Sequence, residues 1–227
     1  MPCCPRAMYI HVPSAWLGMM AYALIAVSSF GLLVFRHPLA DVSAKSAAPI
    51  GAAFTLLALV TGSLWGKPMW GTYWVWDARL TSVLLLFFLY LGLMALRSSV
   101  EDEALAAKLT AVLALVGVIL LPIIKFSVDW WNTLHQPSTG LTTTVHSSIR
   151  IPLLISALGF SLLFFAMHMK AMRNEILRRR VKALRMAEVE RAQSAAQSAA
   201  HSAAVRWVNG RPAGVGTTRR VPGGRTA

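Results

Sequence analysis

Acidic residues are scarce in this chain: nine Asp and Glu stand against 22 Lys and Arg in 227 residues, for a formal net charge of +13. Cysteine is scarcer still. Cys3 and Cys4 are adjacent, an arrangement that does not readily meet the geometry of a structural disulfide, and two thiols are too few for a zinc site. No Cys-x-x-Cys-His occurs, so the chain is not itself a c-type cytochrome. No Walker-type glycine-rich loop occurs either, which excludes ATP hydrolysis by this chain. Period-two alternation over strand lengths is absent, against a β-barrel. The N-terminus lacks the basic flank, short apolar core and small-residue cleavage site of a secretory signal.

What the chain has in quantity is apolar length. It is 56% hydrophobic with a mean hydropathy of +0.57, too apolar for an ordinary soluble domain. Five apolar blocks, at about 14–35, 48–64, 80–96, 109–124 and 151–169, approach the ~20 helical residues that cross a hydrocarbon core about 30 Å thick. The expected fold is therefore all-α, a polytopic membrane protein with five transmembrane helices. Pro13 is expected in the first turn of the first span, where its missing N–H costs nothing.

The positive charge is concentrated behind the last block. From Arg173 to Arg225 the tail carries twelve Arg or Lys against Glu175, Glu188 and Glu190. A basic segment directly after a span is explained by the positive-inside rule and by anionic membrane lipids, with no need for nucleic acid. A cytoplasmic tail and five spans put 1–13, 65–79 and 125–150 on the outer face. His11, the segment from Trp65 and His135 then share one side of the membrane, with His146. Three parts are expected: a transmembrane domain over 1–170, a charged cytoplasmic helical extension over 171–192, and a disordered basic low-complexity tail over 193–227.

Aromatic residues crowd the outer segments. Trp65, Trp70, Tyr73, Trp74 and Trp76 fall within twelve positions, and Asp77 and Arg79 close the run. Gly66 and Pro68 are expected to break the second helix ahead of it, and helical spacing would align Trp70, Trp74 and Asp77 on one face. An interfacial aromatic belt is the bland explanation. The density of rings beside charged groups suits a flat ligand with an apolar disc and an anionic rim. A second cluster, Trp130 and Trp131, precedes His135. There Trp131 and His135 stand i, i+4 on an expected interfacial helix stopped by Pro137, Ser138 and Gly140. Two histidines over an aromatic platform can supply both axial positions of a haem iron. Lys67, Arg79, Lys125 or Arg150 can pair with its propionates. Zinc, which needs about four close ligands, fits this face less well.

These residues carry a resemblance. Trp70-Gly-Thr-Tyr-Trp-Val-Trp-Asp-Ala-Arg-Leu-Thr81 resembles the tryptophan-rich WWD signature of the haem-handling proteins of cytochrome c maturation. Tyr9-Ile-His-Val-Pro13 and Trp130-Trp131-Asn-Thr-Leu-His135-Gln are similar to the CcmC, or haem exporter protein C, branch. The likeness covers roughly 6–169. It implies that His11 and His135 are axial ligands to the iron of a non-covalently held haem b in transit. It also implies that Trp70, Trp74, Trp76 and Asp77 form the platform, beside Arg79, Trp130 and Trp131. No catalytic residue is implied, since the family moves haem and is not an enzyme in the bond-making sense. The implied partners are a periplasmic haem chaperone of the CcmE type, the CcmA/CcmB ABC transporter and the small subunit CcmD. The implied location is the bacterial inner membrane, with the site facing the periplasm. The family has six spans, one more than counted here; either the first span is absent or the start codon is assigned downstream of the true one, and the second is expected.

Two other readings stay open at this stage. A WWD-type cytochrome c synthase would share the Trp segment but carry more spans and a larger outer domain. A structural membrane subunit of an ABC-type transporter would use the Trp residues as anchors and hold no pigment.

Overall fold

A computed structural model describes residues 4–131, 135 and 146–210. Six helices follow in order: α1 (Cys4–Phe35), α2 (Pro38–Trp70), α3 (Ala78–Ser99), α4 (Glu103–Gly117), α5 (Leu120–Trp130) and α6 (Ser147–Asn209). No strand occurs among the described residues. Five spans there are long and apolar enough to cross a membrane, α4 and α5 together forming one of them over Glu103–Trp130.

Proline explains the departures from straight helices. Pro122 lacks an N–H and its ring crowds the carbonyl of Val118, four residues back. The ladder breaks there, Leu121 N bonding instead to Val118 O at 3.0 Å, and the span divides into α4 and α5. Pro13 is not in a first turn as expected, because α1 begins at Cys4 and takes Pro13 and His11 into its interior. The carbonyl of Tyr9, which Pro13 cannot serve, accepts the Ser156 hydroxyl of α6 at 2.5 Å. Gly66 and Pro68 do not break α2, which runs on to Trp70. Gly71 stops it with φ +75° and its N–H on Lys67 O, a left-handed cap that glycine adopts without penalty.

The chain divides into two compact units, Met1–Leu177 and Arg178–Ala227. In the first, α1 packs along α2, and α3 packs against α2, α4 and α5. Small residues permit the approach. The core ring of Tyr90 lies against Gly51, where an added Cβ would sit 2.3 Å from the hydroxyl, and that hydroxyl donates to Gly18 O at 2.6 Å. Tyr22 meets Tyr90 edge-on at 5.3 Å. One end of this unit is tied by ion pairs, Arg97 bidentate to Asp41 at 2.6 and 2.7 Å and Lys45 to Glu175. Ser43 Oγ of α2 lies 3.3 Å from His168 Nε2 of α6, and the His168 ring stacks on Phe164.

The second unit consists, as far as described, of the exposed C-terminal part of α6. Residues 193–209 are helical, unlike the disordered tail expected from 193. From Phe160 to Asn209 there is no Gly or Pro, and Ala, Arg, Gln and Met favour the helix. Residues 211–227 lie outside the described residues.

Candidate haem site

The site lies at the end of the first unit opposite the ion pairs. The N-terminal turns of α1, α3 and α6, the last turns of α2 and the end of α5 surround a cavity of about 530 Å³, within the ~300–1,000 Å³ typical of small-molecule sites. His11, His135 and His146 all line it, together with Trp65, Trp70 and Trp74 and the cations Arg79, Lys125 and Arg150.

His11 is fixed from α2. Its Nδ1 lies 3.0 Å from Ala58 O and 3.2 Å from Thr61 Oγ1. A carbonyl can only accept, so Nδ1 carries the hydrogen and Nε2 keeps its lone pair, the tautomer of a metal-ligating histidine. The ring fits because position 62 is glycine: a Cβ there would stand 2.9 Å from His11 Cε1.

His135 is held against Trp70, with ring centroids 5.4 Å apart and planes inclined by 53°. Its pKa is pushed down to about 4 by burial, and further by the nearby charges of Arg79 and His11. The imidazole is therefore neutral at pH 7, the form that ligates a metal. Arg79 anchors α3 to α5, its Nη2 donating to Lys125 O at 3.3 Å and Ile124 O at 3.5 Å.

Several buried polar atoms here have no hydrogen-bond partner among the described residues: Trp74 Nε1, Arg79 Nε and His135 Nδ1. Such atoms are normally satisfied. Two of them are donors lining a cavity with further cations, so the chemistry fits an anionic ligand. The indoles fit an apolar, planar one.

Comparison with known proteins agrees with this chemistry. Residues 4–187 match the heme exporter protein C (CcmC) family. The chain belongs to that family. Heme exporter protein C of Bradyrhizobium diazoefficiens is 62% identical over 189 residues, spanning 82% of this chain and 72% of the relative. Heme exporter protein C of Escherichia coli is 51% identical over 172 residues, 76% and 70% of the two chains. That of Haemophilus influenzae is 46% identical over 181 residues, 78% and 73%.

In this CcmC-family chain, the cavity gathers five of the nine residues that the resemblance implies, His11, His135, Trp70, Trp74 and Arg79, together with Trp65, Lys125, Arg150 and His146. The other four of the nine stand apart from it. The stretch 71–77 is not helical, so Trp70, Trp74 and Asp77 do not share a helix face. Trp76 is 76% exposed, meeting Trp74 edge-on at 5.6 Å. Asp77 caps α3, its Oδ1 accepting from Leu80 N at 2.7 Å. Helix α5 ends at Trp130, so Trp131 does not stack on His135 through an i, i+4 turn. Trp130 and Trp131 are 60% and 57% exposed and pack on each other. Pro137, Ser138 and Gly140 lie outside the described residues. Lys67 is committed to Gly71 O and to the face of Tyr73. Trp65, part of the aromatic run in sequence but not of the platform implied by the resemblance, lines the cavity and meets Trp70 edge-on at 6.1 Å. Gly62 is not singled out for the site. Gly62 reads from sequence as one small residue among several.

Proposed function

We propose that this protein binds haem non-covalently in the cavity and passes it on for c-type cytochrome maturation. His11 and His135 are the two axial ligands. Trp70 and Trp74 hold the macrocycle, joined by Trp65, and Arg79 with Lys125 and Arg150 meets the propionates. The observation that carries this reading is the convergence of His11 and His135, 124 positions apart, on one aromatic, cationic cavity. Haem is the cargo here, and its iron accepts the imidazole lone pairs.

The chain's residues do three things for that cargo. Ala58 O and Thr61 fix the His11 tautomer, so no reorientation is needed when iron arrives. Burial keeps His135 unprotonated. The unpartnered N–H groups of Trp74 and Arg79 await an acceptor, so they favour an anionic cargo over a neutral one. Trp76, Asp77, Trp130 and Trp131 contribute from outside the cavity wall, Asp77 by starting the helix that presents Arg79.

The cavity faces the periplasm from the bacterial inner membrane, with the basic C-terminal part of α6 in the cytoplasm. The recipient is a CcmE-type haem chaperone, and the CcmA/CcmB transporter and CcmD are companions. Residues 1–170 form the haem-handling part. The shared family of relatives named for heme export supports this reading.

Absorption spectra of the detergent-purified protein, co-expressed with its chaperone, test it. A bound haem whose axial ligation changes in both His11→Ala and His135→Ala is expected. A colourless, normally expressed wild type would contradict it and favour a structural transporter subunit.

A further inference from the structure

Three histidines line the cavity, and two axial positions cannot use all of them. His146 differs from His11 in the way its ring is wired. The backbone N–H of Ser148 donates to His146 Nδ1 at 3.4 Å, and Ser148 Oγ lies 2.8 Å from the same nitrogen. An N–H can only donate, so Nδ1 is the accepting nitrogen and the ring hydrogen resides on Nε2. The Nδ1 lone pair is engaged, and a nitrogen that carries a hydrogen has none to offer a metal. At His11 the same nitrogen faces a carbonyl and the assignment is reversed.

The surroundings of His146 point the same way. It immediately precedes α6, and the N–H of Arg150, one turn on, bonds to its carbonyl at 3.0 Å. Both residues line the cavity, with Arg79 and Lys125 supplied from α3 and α5. His146 thus stands among cations and presents an N–H.

We infer that His146 is a hydrogen-bond donor to the carboxylates of the cargo and not a ligand to its iron. The inference rests on the proposed haem site and deepens it. It assigns the α6 side of the cavity, His146 with Arg150, to the anionic edge of a dicarboxylate macrocycle. His11 and His135 keep the metal. His146 is then a positioning residue, setting which way round the macrocycle sits.

The test titrates the detergent-purified full chain with three probes: haemin, iron-free protoporphyrin IX and haemin dimethyl ester. Tryptophan quenching reads affinity, and absorption reads axial ligation. His146→Phe is expected to weaken haemin and protoporphyrin IX by roughly tenfold, the order of a lost hydrogen bond to a charged group. It is expected to leave the ester within about twofold and the haemin spectrum unchanged. His146→Gln keeps an N–H donor and is expected to recover most of the affinity. A changed axial spectrum in His146→Phe would make His146 a ligand and overturn the inference. Equal weakening of the ester, or no weakening of any probe, would overturn it as well. The protoporphyrin arm needs no iron, so it still reports on the carboxylate contact if the axial assignment fails. A wild type that bound none of the probes would sink both.

Discussion

A Cβ on Gly62 would press on His11 from behind, and this single absent atom shows how the site is tuned. The ring has Ala58 O and Thr61 Oγ1 on one nitrogen and the bare backbone of Gly62 against Cε1. Gly62→Ala must therefore turn the imidazole and stretch the hydrogen bond that sets its tautomer. Haem affinity is expected to fall by about 10–100-fold, the usual effect of disturbing the outer partner of a metal ligand. The helix itself gains propensity from the change, so the unfolding temperature is not expected to drop in parallel. Haemin titration beside a thermal melt checks this. Loss of fold together with affinity would contradict it. At this scale the sequence was partly legible. His11, His135 and Arg79 stand out because imidazoles and a guanidinium are rare in apolar surroundings. Gly62 does not stand out, because its role depends on a ring contributed by another helix.

Helices were the most legible feature and their ends the least. Blocks near twenty apolar residues locate the spans, but α1, α2 and α6 run well past their blocks, since polar residues continue a helix that packing has begun. The cap at Gly71 matters most for function. It ends α2 just beyond the break expected at Gly66 and Pro68, and the non-helical stretch that follows leaves Trp74 in the cavity wall with Trp70, and Trp76 outside it. On the far side of this turn, Asp77 restarts the chain as α3 by accepting from Leu80 N. Asp77→Ala is expected to destabilise the protein by about 1 kcal/mol, the ordinary cost of losing a side-chain N-cap, whereas Asp77→Asn retains a capping oxygen and costs less. Thermal melts followed by tryptophan fluorescence distinguish the two. Equal losses in both variants would show that Asp77 acts through its charge, not its cap.

The molecule as a whole brings together residues that its chain keeps apart. Alternating helices bring the start of α1, the end of α2, the start of α3, the end of α5 and the start of α6 to one end, and the cavity is what they enclose. Ion pairs hold the opposite end, so the two ends divide structural cohesion from ligand chemistry. The parity of the spans made this grouping legible from sequence. Which aromatic rings face inward was not legible, because it depends on the non-helical stretch 71–77. The central claim is that His11 and His135 meet the same iron from different helical contexts. Imidazole rescue tests it most directly. Haemin-loaded His11→Gly and His135→Gly are compared with wild type by absorption spectroscopy, before and after adding imidazole. Each variant is expected to lose the two-imidazole spectrum and to regain it when free imidazole occupies the vacated position. A wild-type spectrum that persists in either variant without imidazole would contradict the paired-ligand account.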